Sequence, residues 1–291
     1  MKKLLGVLLG ASVFTLTACS KQEAPDSDAA QAKNSGELQT VTLASTGSDA
    51  DIWRYIATLP ETKQAGLKLD VKNFTDYVAM NTAVANKEID LNAFQSYAYM
   101  VAYNDANTQK IAPLATTYLE PMGIYSSKVK SLHEFKTGAT IAIPNDGANE
   151  SRALLLLQSA GLVKLKPEFD YVKGTTADVT ENAKQIVIKP IQMATAVRVK
   201  DEVDAIVLGN TLAMEGGLNV LKDAIYYEPI DQSTKMNVNV LAVAADRQND
   251  PALQKVGALY HTPAVQAYVD EHFGGTKVAV NKPVTYLTEA Q

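Results

Sequence analysis

The chain has 291 residues, 46% of them apolar and 20% charged, with a net charge of −5. This is the composition of an ordinary globular protein. The acidic balance argues against nucleic-acid binding, which would call for a basic patch. From residue 41 onward roughly 250 residues remain, which is enough for one large or two ordinary domains.

The N-terminus has the pattern of a secretory signal. Lys2 and Lys3 precede the apolar run 4–14, which is too short to cross a bilayer because spanning needs about 20 apolar residues. The run leads into Leu16-Thr17-Ala18-Cys19, and Cys19 is the only cysteine of the chain. A lone thiol in a secreted protein cannot form an internal disulfide, so we expect this cysteine to have a different role.

This ending resembles the lipobox of bacterial lipoproteins, in which the cysteine carries palmitate-type acyl chains and becomes the first residue of the mature protein. We therefore expect residues 1–18 to be a lipoprotein signal peptide and Cys19 to be the lipidation site. The alternative is a plain signal peptide with an incidental cysteine. More than one acyl chain, at about 0.8 kcal/mol per buried methylene, anchors a protein stably without a spanning helix.

Residues 19–40 are expected to form the acylated cysteine and a flexible tether. After Cys19 the stretch is rich in Ser, Asp, Gln, Lys and Ala, and Leu38 is its only large apolar residue. Such a segment cannot bury enough apolar surface to offset the entropy of ordering it. The folded body would then stand clear of the membrane on its extracytoplasmic, periplasmic face. Ser20 after the cysteine does not decide between the inner and the outer membrane.

From residue 41 onward the sequence alternates between strand and helix patterns. Strand patterns occupy 41–44, 67–71, 89–94, 140–144, 185–191, 203–208 and 237–243. Helical spacing of apolar residues marks 49–58, 80–86, 151–160 and the surroundings of Leu253 and Tyr268. This alternation predicts an α/β fold with a mainly parallel sheet.

A weak internal echo favours two similar lobes. Ala83-Val84 before the strand start at Glu88 parallels Ala196-Val197 before the strand start at Glu202. We expect the chain to cross between lobes near 125–132 and near 227–238. Lobe 1 would then hold residues 41–127 and 238–291, and lobe 2 residues 128–237. Ligands bind beyond the carboxyl ends of such strands, which here meet at the interlobe cleft.

Several motifs resemble the NlpA/MetQ family of methionine-binding lipoproteins. The matching stretches are Phe74-Thr75-Asp76-Tyr77, Ile89-Asp90-Leu91-Asn92-Ala93-Phe94-Gln95, Pro144-Asn145-Asp146-Gly147-Ala148-Asn149, Arg152-Ala153-Leu154 and the hinge region from Tyr118 to Lys128. The resemblance implies a two-lobed periplasmic-binding-protein fold of type II that closes around an amino acid. It also implies partners: L-methionine or a related amino acid as ligand, and the permease and ATPase of an ABC importer.

Arg152 is the first candidate for contact with the ligand. We expect it in the first turn of its helix, where free N–H groups form an anion site and a guanidinium could share the ligand's carboxylate with them in bidentate form. The alternative is a surface arginine paired with Glu150 or another acid. Asn149 precedes the helix and could be its N-cap, and the resemblance gives it a ligand contact as well.

The resemblance supplies three further candidates. Tyr77 and Phe94 would form an aromatic wall for the ligand's side chain, on which a thioether packs well; the alternative is that both are core residues. Asn239, in the alternating strand near 237–243, matches a family asparagine that holds the backbone of the amino acid.

The sequence departs from the family at the ligand. A histidine that contacts ligand in the family is Ser96 here, and a binding asparagine is Gly209, with Asn210 one position later as a possible substitute. A following tyrosine is Leu212. A smaller set of contacts implies a roomier pocket, so a methionine derivative, a dipeptide or another apolar amino acid is an open alternative to methionine.

Motifs for catalysis, cofactors or metal are absent from the sequence. It contains no Gly-x-Ser-x-Gly, no Gly-rich phosphate loop and no paired-cysteine spacing. The three histidines, His133, His261 and His272, have no partner at metal-ligand spacing and are expected to be solvated. We therefore expect a binding protein and no enzyme, without a cofactor. A surface lipoprotein with a non-transport role, as an adhesin or structural protein, is the alternative.

Overall fold

The computed structural model describes residues 37–289, so Cys19, the signal peptide and most of the tether lie outside the described residues. The strands are β1 Gln39–Ser45, β2 Leu67–Asn73, β3 Leu91–Ser96, β4 Ile111–Thr116, β5 Tyr118–Leu119, β6 Met122–Tyr125, β7 Thr140–Pro144, β8 Lys164–Leu165, β9 Val179–Glu181, β10 Val187–Ile191, β11 Ala205–Gly209, β12 Ala224–Tyr227, β13 Asn239–Ala244 and β14 Val278–Ala279. The α-helices are α1 Gly47–Thr58, α2 Pro60–Gln64, α3 Tyr77–Ala85, α4 Tyr97–Ala106, α5 Gly147–Ser159, α6 Met193–Ala196, α7 Asn210–Glu215, α8 Val220–Asp223, α9 Pro251–Tyr260 and α10 Pro263–Phe273. Short 3-10 turns lie at Leu132–Glu134, Thr176–Asp178, Val197–Val199, Gln232–Asn237, Ala245–Arg247 and Val284–Leu287.

Two five-stranded sheets with the same topology form the two lobes. Their strand orders are β2-β1-β3-β13-β4 and β10-β7-β11-β6-β12. In each sheet the first three strands are parallel, and the fourth runs antiparallel to both of its neighbours. The two segments of the internal echo lead into β3 and β11, which hold the same position in the two sheets. The predicted two-lobed α/β fold is confirmed.

Four strands of each sheet run in the same direction, as the prediction of a mainly parallel sheet requires, and the one antiparallel strand has a topological reason. The antiparallel strand of each sheet is the one contributed by the chain just after it has crossed from the other lobe: β6 in lobe 2 and β13 in lobe 1. A strand that enters a sheet from the opposite lobe arrives at the cleft edge. It can therefore only run away from the cleft, against the strands that end there.

The first crossing comes earlier than the predicted stretch 125–132. Met122–Tyr125 pairs with β11 and β12 of lobe 2, so the chain crosses between Leu119 and Met122 and the boundary expected after residue 127 is wrong by several residues. The second crossing runs from the end of β12 at Tyr227 to the start of β13 at Asn239. Glu120 lies in the first crossing and Glu228 in the second, which places both carboxylates between the lobes.

Each lobe has its own apolar core. In lobe 1, α1 buries Ile52, Trp53 and Ile56 at helical spacing against a core that includes Leu43 of β1 and Tyr260 of α9. In lobe 2, α5 packs its row of leucines against Ile141 and other sheet residues. These cores fix the strand ends that carry the cleft residues.

Helix boundaries differ from the predicted ones at functionally relevant ends. The helix predicted for 151–160 begins at Gly147, because Asp146 caps it, and the helix predicted for 80–86 begins at Tyr77, because Asp76 caps it. Helix α4, which follows β3, was not predicted. Within residues 37–289 no helix is both long and apolar enough to span a membrane.

Candidate functional site: the interlobe cleft

A cavity lies where the carboxyl ends of the strands of both lobes meet. Six of the seven residues that the sequence analysis selected line it: Tyr77, Phe94, Ser96, Asn149, Arg152 and Asn239. Further lining residues are Asp49, Gln95, Tyr99, Glu120, Met193, Gly209, Thr211 and Leu212. Lobe 1, lobe 2 and the first crossing all contribute side chains, so this is the interlobe cleft that the topology predicts.

Three aromatic rings form one wall of the cavity. The ring centroids of Tyr77 and Phe94 are 5.1 Å apart, and Tyr99 meets these rings edge-on at 6.2 and 5.9 Å. Tyr77 is the first residue of α3, Phe94 lies in β3, and Tyr99 lies in the first turn of α4. The neighbouring apolar residues Met193 and Leu212 come from lobe 2. This arrangement suits an apolar or thioether side chain.

Arg152 is less available than the sequence analysis expected. It is the sixth residue of α5, one turn further in than predicted, and only 7% exposed. Its Nε and Nη2 donate to the carboxylate of Glu228 at 2.8 and 2.5 Å, and Nη2 also donates to the carbonyl oxygen of Glu120 at 2.8 Å. The bidentate edge is therefore used within the protein, by Glu228 and not by Glu150. Within residues 37–289, Nη1 is the guanidinium nitrogen that lacks a hydrogen-bond partner.

The amino end of α5 is already occupied by an anion. Asp146 is the N-cap, and its carboxylate accepts hydrogen bonds from the backbone N–H of Asn149 at 3.2 Å and from Asn149 Nδ2 at 2.8 Å. Asn149, the third residue of the helix, is thus not the cap. Burial raises the pKa of Asp146, and the hydrogen bonds from Asn149 oppose that rise. The helix end therefore offers a ligand carboxylate less positive potential than we expected.

A buried amide cluster includes Gln95, which lines the cavity next to Phe94 in the chain. The side chains of Asn81, Asn92 and Gln95 are buried and hydrogen-bonded to one another at 2.7–2.8 Å. Asn239, 4% exposed, satisfies both ends of its amide when Nδ2 donates to the carbonyls of Phe94 and Gln95, both at 3.2 Å. This polar packing is a physical reason for the Asn-Ala-Phe-Gln motif and fixes the orientation of the aromatic wall.

Lys277 is a fully buried cation that the sequence analysis missed. Its Nζ lies 2.8 Å from Asp49 Oδ1, 2.5 Å from Glu120 Oε2 and 3.1 Å from Thr211 Oγ1. It also lies 4.1 Å from the ring centroid of Tyr118, a cation–π contact. Asp49 belongs to the first turn of α1, Thr211 to α7 of lobe 2 and Glu120 to the first crossing. One ion network therefore joins both lobes and the crossing.

The two carboxylates of this network differ in their titration. Burial raises the pKa of Asp49, and the ammonium of Lys277 only partly offsets this effect. Burial also acts to raise the pKa of Glu120. There, however, the charge of Lys277 and hydrogen bonds from Lys277 and Asn210 outweigh it, so the pKa of Glu120 lies below its ordinary value. Burial and the nearby carboxylates of Asp49, Glu215, Glu120 and Asp146 raise the pKa of Tyr77, so its phenol stays neutral.

The positions that depart from the family have distinct structural roles. Ser96 lines the cavity and caps α4, where its Oγ accepts from the backbone N–H of Tyr99 at 3.2 Å. Gly209 is the N-cap of α7, and a Cβ added there would meet nothing within 4 Å. Asn210 is fully buried and does not line the cavity. Its Nδ2 donates to Glu120 at 3.1 Å and to Thr276 at 3.2 Å, so its amide nitrogen is committed to the ion network.

The histidines do not contribute to the cavity. His133 and His272 are exposed, as expected, whereas His261 is half-buried and its Nε2 lies 2.8 Å from the carbonyl oxygen of Thr116. Burial lowers the pKa of His261. Its prediction as a solvated residue is therefore wrong. In the described part of the chain no group of His, Cys, Asp and Glu side chains is arranged to hold a metal ion.

Several proteins with a similar sequence are named lipoproteins. The profile of the family described as NlpA lipoprotein matches residues 41–281. Outer membrane lipoprotein 2 of Mannheimia haemolytica is 36% identical over 264 residues, which cover 91% of this chain and 93% of the relative. Methionine-binding lipoprotein MetQ of Bacillus subtilis (strain 168) is 30% identical over 288 residues, covering 97% of this chain and all of the relative.

A solved structure shows the same architecture. The nutrient-binding protein of Burkholderia cenocepacia bound to methionine is 33% identical to this chain and superposes with a TM-score of 0.78. The match covers 82% of this chain and 99% of the solved one.

Proposed function

The chain belongs to the NlpA lipoprotein family, and from that premise we propose that it is the substrate-binding lipoprotein of an ABC importer. It captures methionine or a related amino acid or derivative in the interlobe cleft. The observation that carries the proposal is the cavity itself. Both lobes and the first crossing supply its walls, one wall is aromatic, and charged groups lie beside it. Pockets with apolar walls and a few convergent polar groups are typical small-molecule sites.

The ligand's side chain would lie against the aromatic wall of Tyr77, Phe94 and Tyr99. A thioether in contact with aromatic edges gains about 0.3–1.5 kcal/mol per contact. The ligand's polar end would face Asn149, Asn239 and the Nη1 group of Arg152, with Ser96 beside them. Asn210 supports this end indirectly, through its hydrogen bond to Glu120.

Closure of the lobes is the step that links binding to transport. Thr211 of lobe 2 lies 3.3 Å from Asp49 of lobe 1, and Lys173 of lobe 2 lies 2.6 Å from Asp105 of lobe 1. A ligand that adds contacts to both lobes shifts the population toward the form in which they meet. The permease and ATPase of the importer would recognise that form.

The protein would act at the extracytoplasmic face of a membrane and not as an enzyme. Its family is described as NlpA lipoprotein, one relative is named a methionine-binding lipoprotein, and another is named an outer membrane lipoprotein. Acylation at Cys19 would provide the anchor. Because such relatives are named for their place in the outer membrane and not for a ligand, a non-transport surface role is a second candidate. It differs from the first in a measurable way, because it requires no ligand in the cleft.

The proposal is tested by isothermal titration of the full chain in detergent with L-methionine. Single replacement of Arg152 would leave Glu228 buried and unpaired, which costs about 3–5 kcal/mol. The informative variant is therefore Arg152→Met with Glu228→Gln, which removes the pair as a unit. Arg54→Ala, which breaks an exposed pair with Asp51, is the control.

We expect the native chain and Arg54→Ala to bind methionine equally. The double variant should keep its melting transition and lose affinity by about 100-fold, since it loses a charge-assisted hydrogen bond to the ligand. If the native chain binds neither methionine nor any other amino acid or dipeptide, transport is excluded and the surface role is favoured.

A further inference from the structure

The charged side chains around the cavity include more carboxylates than cations. Arg152 is neutralised by Glu228 through three hydrogen-bond contacts of 2.5–3.1 Å. Lys277 is shared between Asp49 and Glu120, which we call the acid pair. Within these two ion-paired groups, two cations are therefore matched by three carboxylates, which leaves one negative charge in excess. That excess lies on the acid pair.

The acid pair faces the cavity, whereas its cation lies behind it. Asp49, Glu120 and Thr211 line the cavity, and Lys277 does not. The three N–H groups of Lys277 have three acceptors, namely Asp49, Glu120 and Thr211, so the lysine has no donor left for a ligand. What the cavity meets on this side is carboxylate and hydroxyl oxygen, which are acceptors for an ammonium group.

The opposite end of the cavity is poor in positive charge. The N–H groups at the start of α5 are capped by Asp146, and the guanidinium of Arg152, more than nine-tenths buried, has only Nη1 without a partner in the part of the chain that the structure describes. Nη1 offers a carboxylate one donor edge, with the charge already compensated by Glu228.

From this asymmetry we infer that Asp49 and Glu120 form an ammonium subsite, and that the cleft selects its ligand by a protonated primary amine more than by a free carboxylate. The inference rests on the proposed function and narrows its substrate class. The ligand is an α-amino compound with an apolar side chain of thioether size. Its carboxyl end can be free, amidated or joined in a peptide bond, which makes a short peptide with such an N-terminal residue an equal substrate.

Three methionine compounds separate the two charged ends without any mutation. Isothermal titration of the full chain in detergent compares L-methionine, L-methioninamide, which keeps only the amine, and N-acetyl-L-methionine, which keeps only the carboxylate. We expect the amide to bind within about 10-fold of methionine. The N-acetyl compound should bind about 100-fold more weakly, since it has no ammonium group to donate a charge-assisted hydrogen bond to the acid pair.

A matched pair of variants tests the contact itself. Glu120→Gln removes one carboxylate and leaves Lys277 paired with Asp49, so the chain should fold; its melting transition verifies this. Glu215→Gln removes the same charge from an exposed residue of α7 that does not line the cavity. Glu120→Gln should weaken binding of methionine and methioninamide about 10- to 100-fold, and Glu215→Gln by less than about 3-fold.

The outcomes separate this inference from the proposed function. N-acetyl-methionine binding as tightly as methionine, or equal losses in the two variants, would overturn the ammonium subsite while methionine binding stands. If none of the three compounds binds, the proposed function fails and the inference fails with it.

Discussion

Replacing Lys277 by methionine should destabilise the protein strongly at neutral pH. Methionine keeps an unbranched apolar chain beside Tyr118 but removes the cation that pairs with both Asp49 and Glu120, two buried carboxylates. Removing one partner of a buried ion pair costs about 3–5 kcal/mol because the remaining charge is left uncompensated. For a chain of this size 1 kcal/mol shifts the melting temperature by about 2–4 °C. The expected loss is therefore about 6–20 °C.

The effect should depend on pH with a definite sign. In the native chain the pKa of Glu120 is lowered, so its stabilising contribution is present above the ordinary pKa and is lost as pH falls. In Lys277→Met both carboxylates are buried without a cation and their folded-state pKa values rise. The variant is then most stable at low pH and loses stability as pH rises through those values. The difference between native chain and variant should accordingly shrink between pH 7 and pH 4.

Urea denaturation at several pH values measures this difference directly. The control is Lys164→Met, which removes an exposed ion pair with Glu181 and should change the free energy of unfolding by less than about 1 kcal/mol. A Lys277→Met variant as stable as this control at pH 7, or a loss that stays constant down to pH 4, would refute the reasoning about the ion network.

Two further predictions concern the cavity. Gly209→Asn should be tolerated, because a Cβ there meets nothing within 4 Å and asparagine is a good N-cap. The added amide should tighten methionine binding by about 5-fold in titration. Weaker binding would instead show that the ligand occupies the space next to Gly209. Tyr77→Ala should reduce the preference for methionine over alanine by about 10-fold in competition titration, since Tyr77 belongs to the aromatic wall. An unchanged preference would mean that the ligand's side chain does not contact this wall.

Much of the fold could be predicted from residue patterns because each lobe repeats a simple strand–helix alternation. The predicted strand 140–144 matches β7, and the strand at 41–44 lies inside β1. The directions of β6 and β13 within their sheets could not be predicted in this way. Their direction depends on the point where the chain crosses between lobes, and that is a property of the whole topology and not of a local pattern.

The candidate site could be predicted only where local motifs carry it. Tyr77, Phe94 and Asn149 lie in short motifs or beside helix starts, and the fold brings them to one cavity. The ion network has no such signal. Arg152 and Glu228 are 76 residues apart, and Lys277 and Glu120 are 157 apart, so only the folded chain shows which charges compensate which.

The bidentate edge of Arg152 is paired with the carboxylate of Glu228, a residue with no motif of its own, and no sequence pattern indicated this pairing. The helix start at Gly147 likewise depends on Asp146 as cap, and moving that start by a few residues shifts Arg152 from the first turn into the second. A small error in a helix boundary thus changes the predicted chemistry of the site.

Native mass spectrometry of the full chain, purified from its own membrane in detergent, tests the central claim most directly. Gentle release from the detergent keeps a ligand bound in the cleft, and subsequent unfolding frees it for identification. We predict that the released compound is methionine or an amino compound with a methionine-like N-terminal residue, and that it is absent from the Arg152→Met, Glu228→Gln double variant. A released compound without an amine, or a chain that never carries or accepts an amino acid or peptide, would contradict the account.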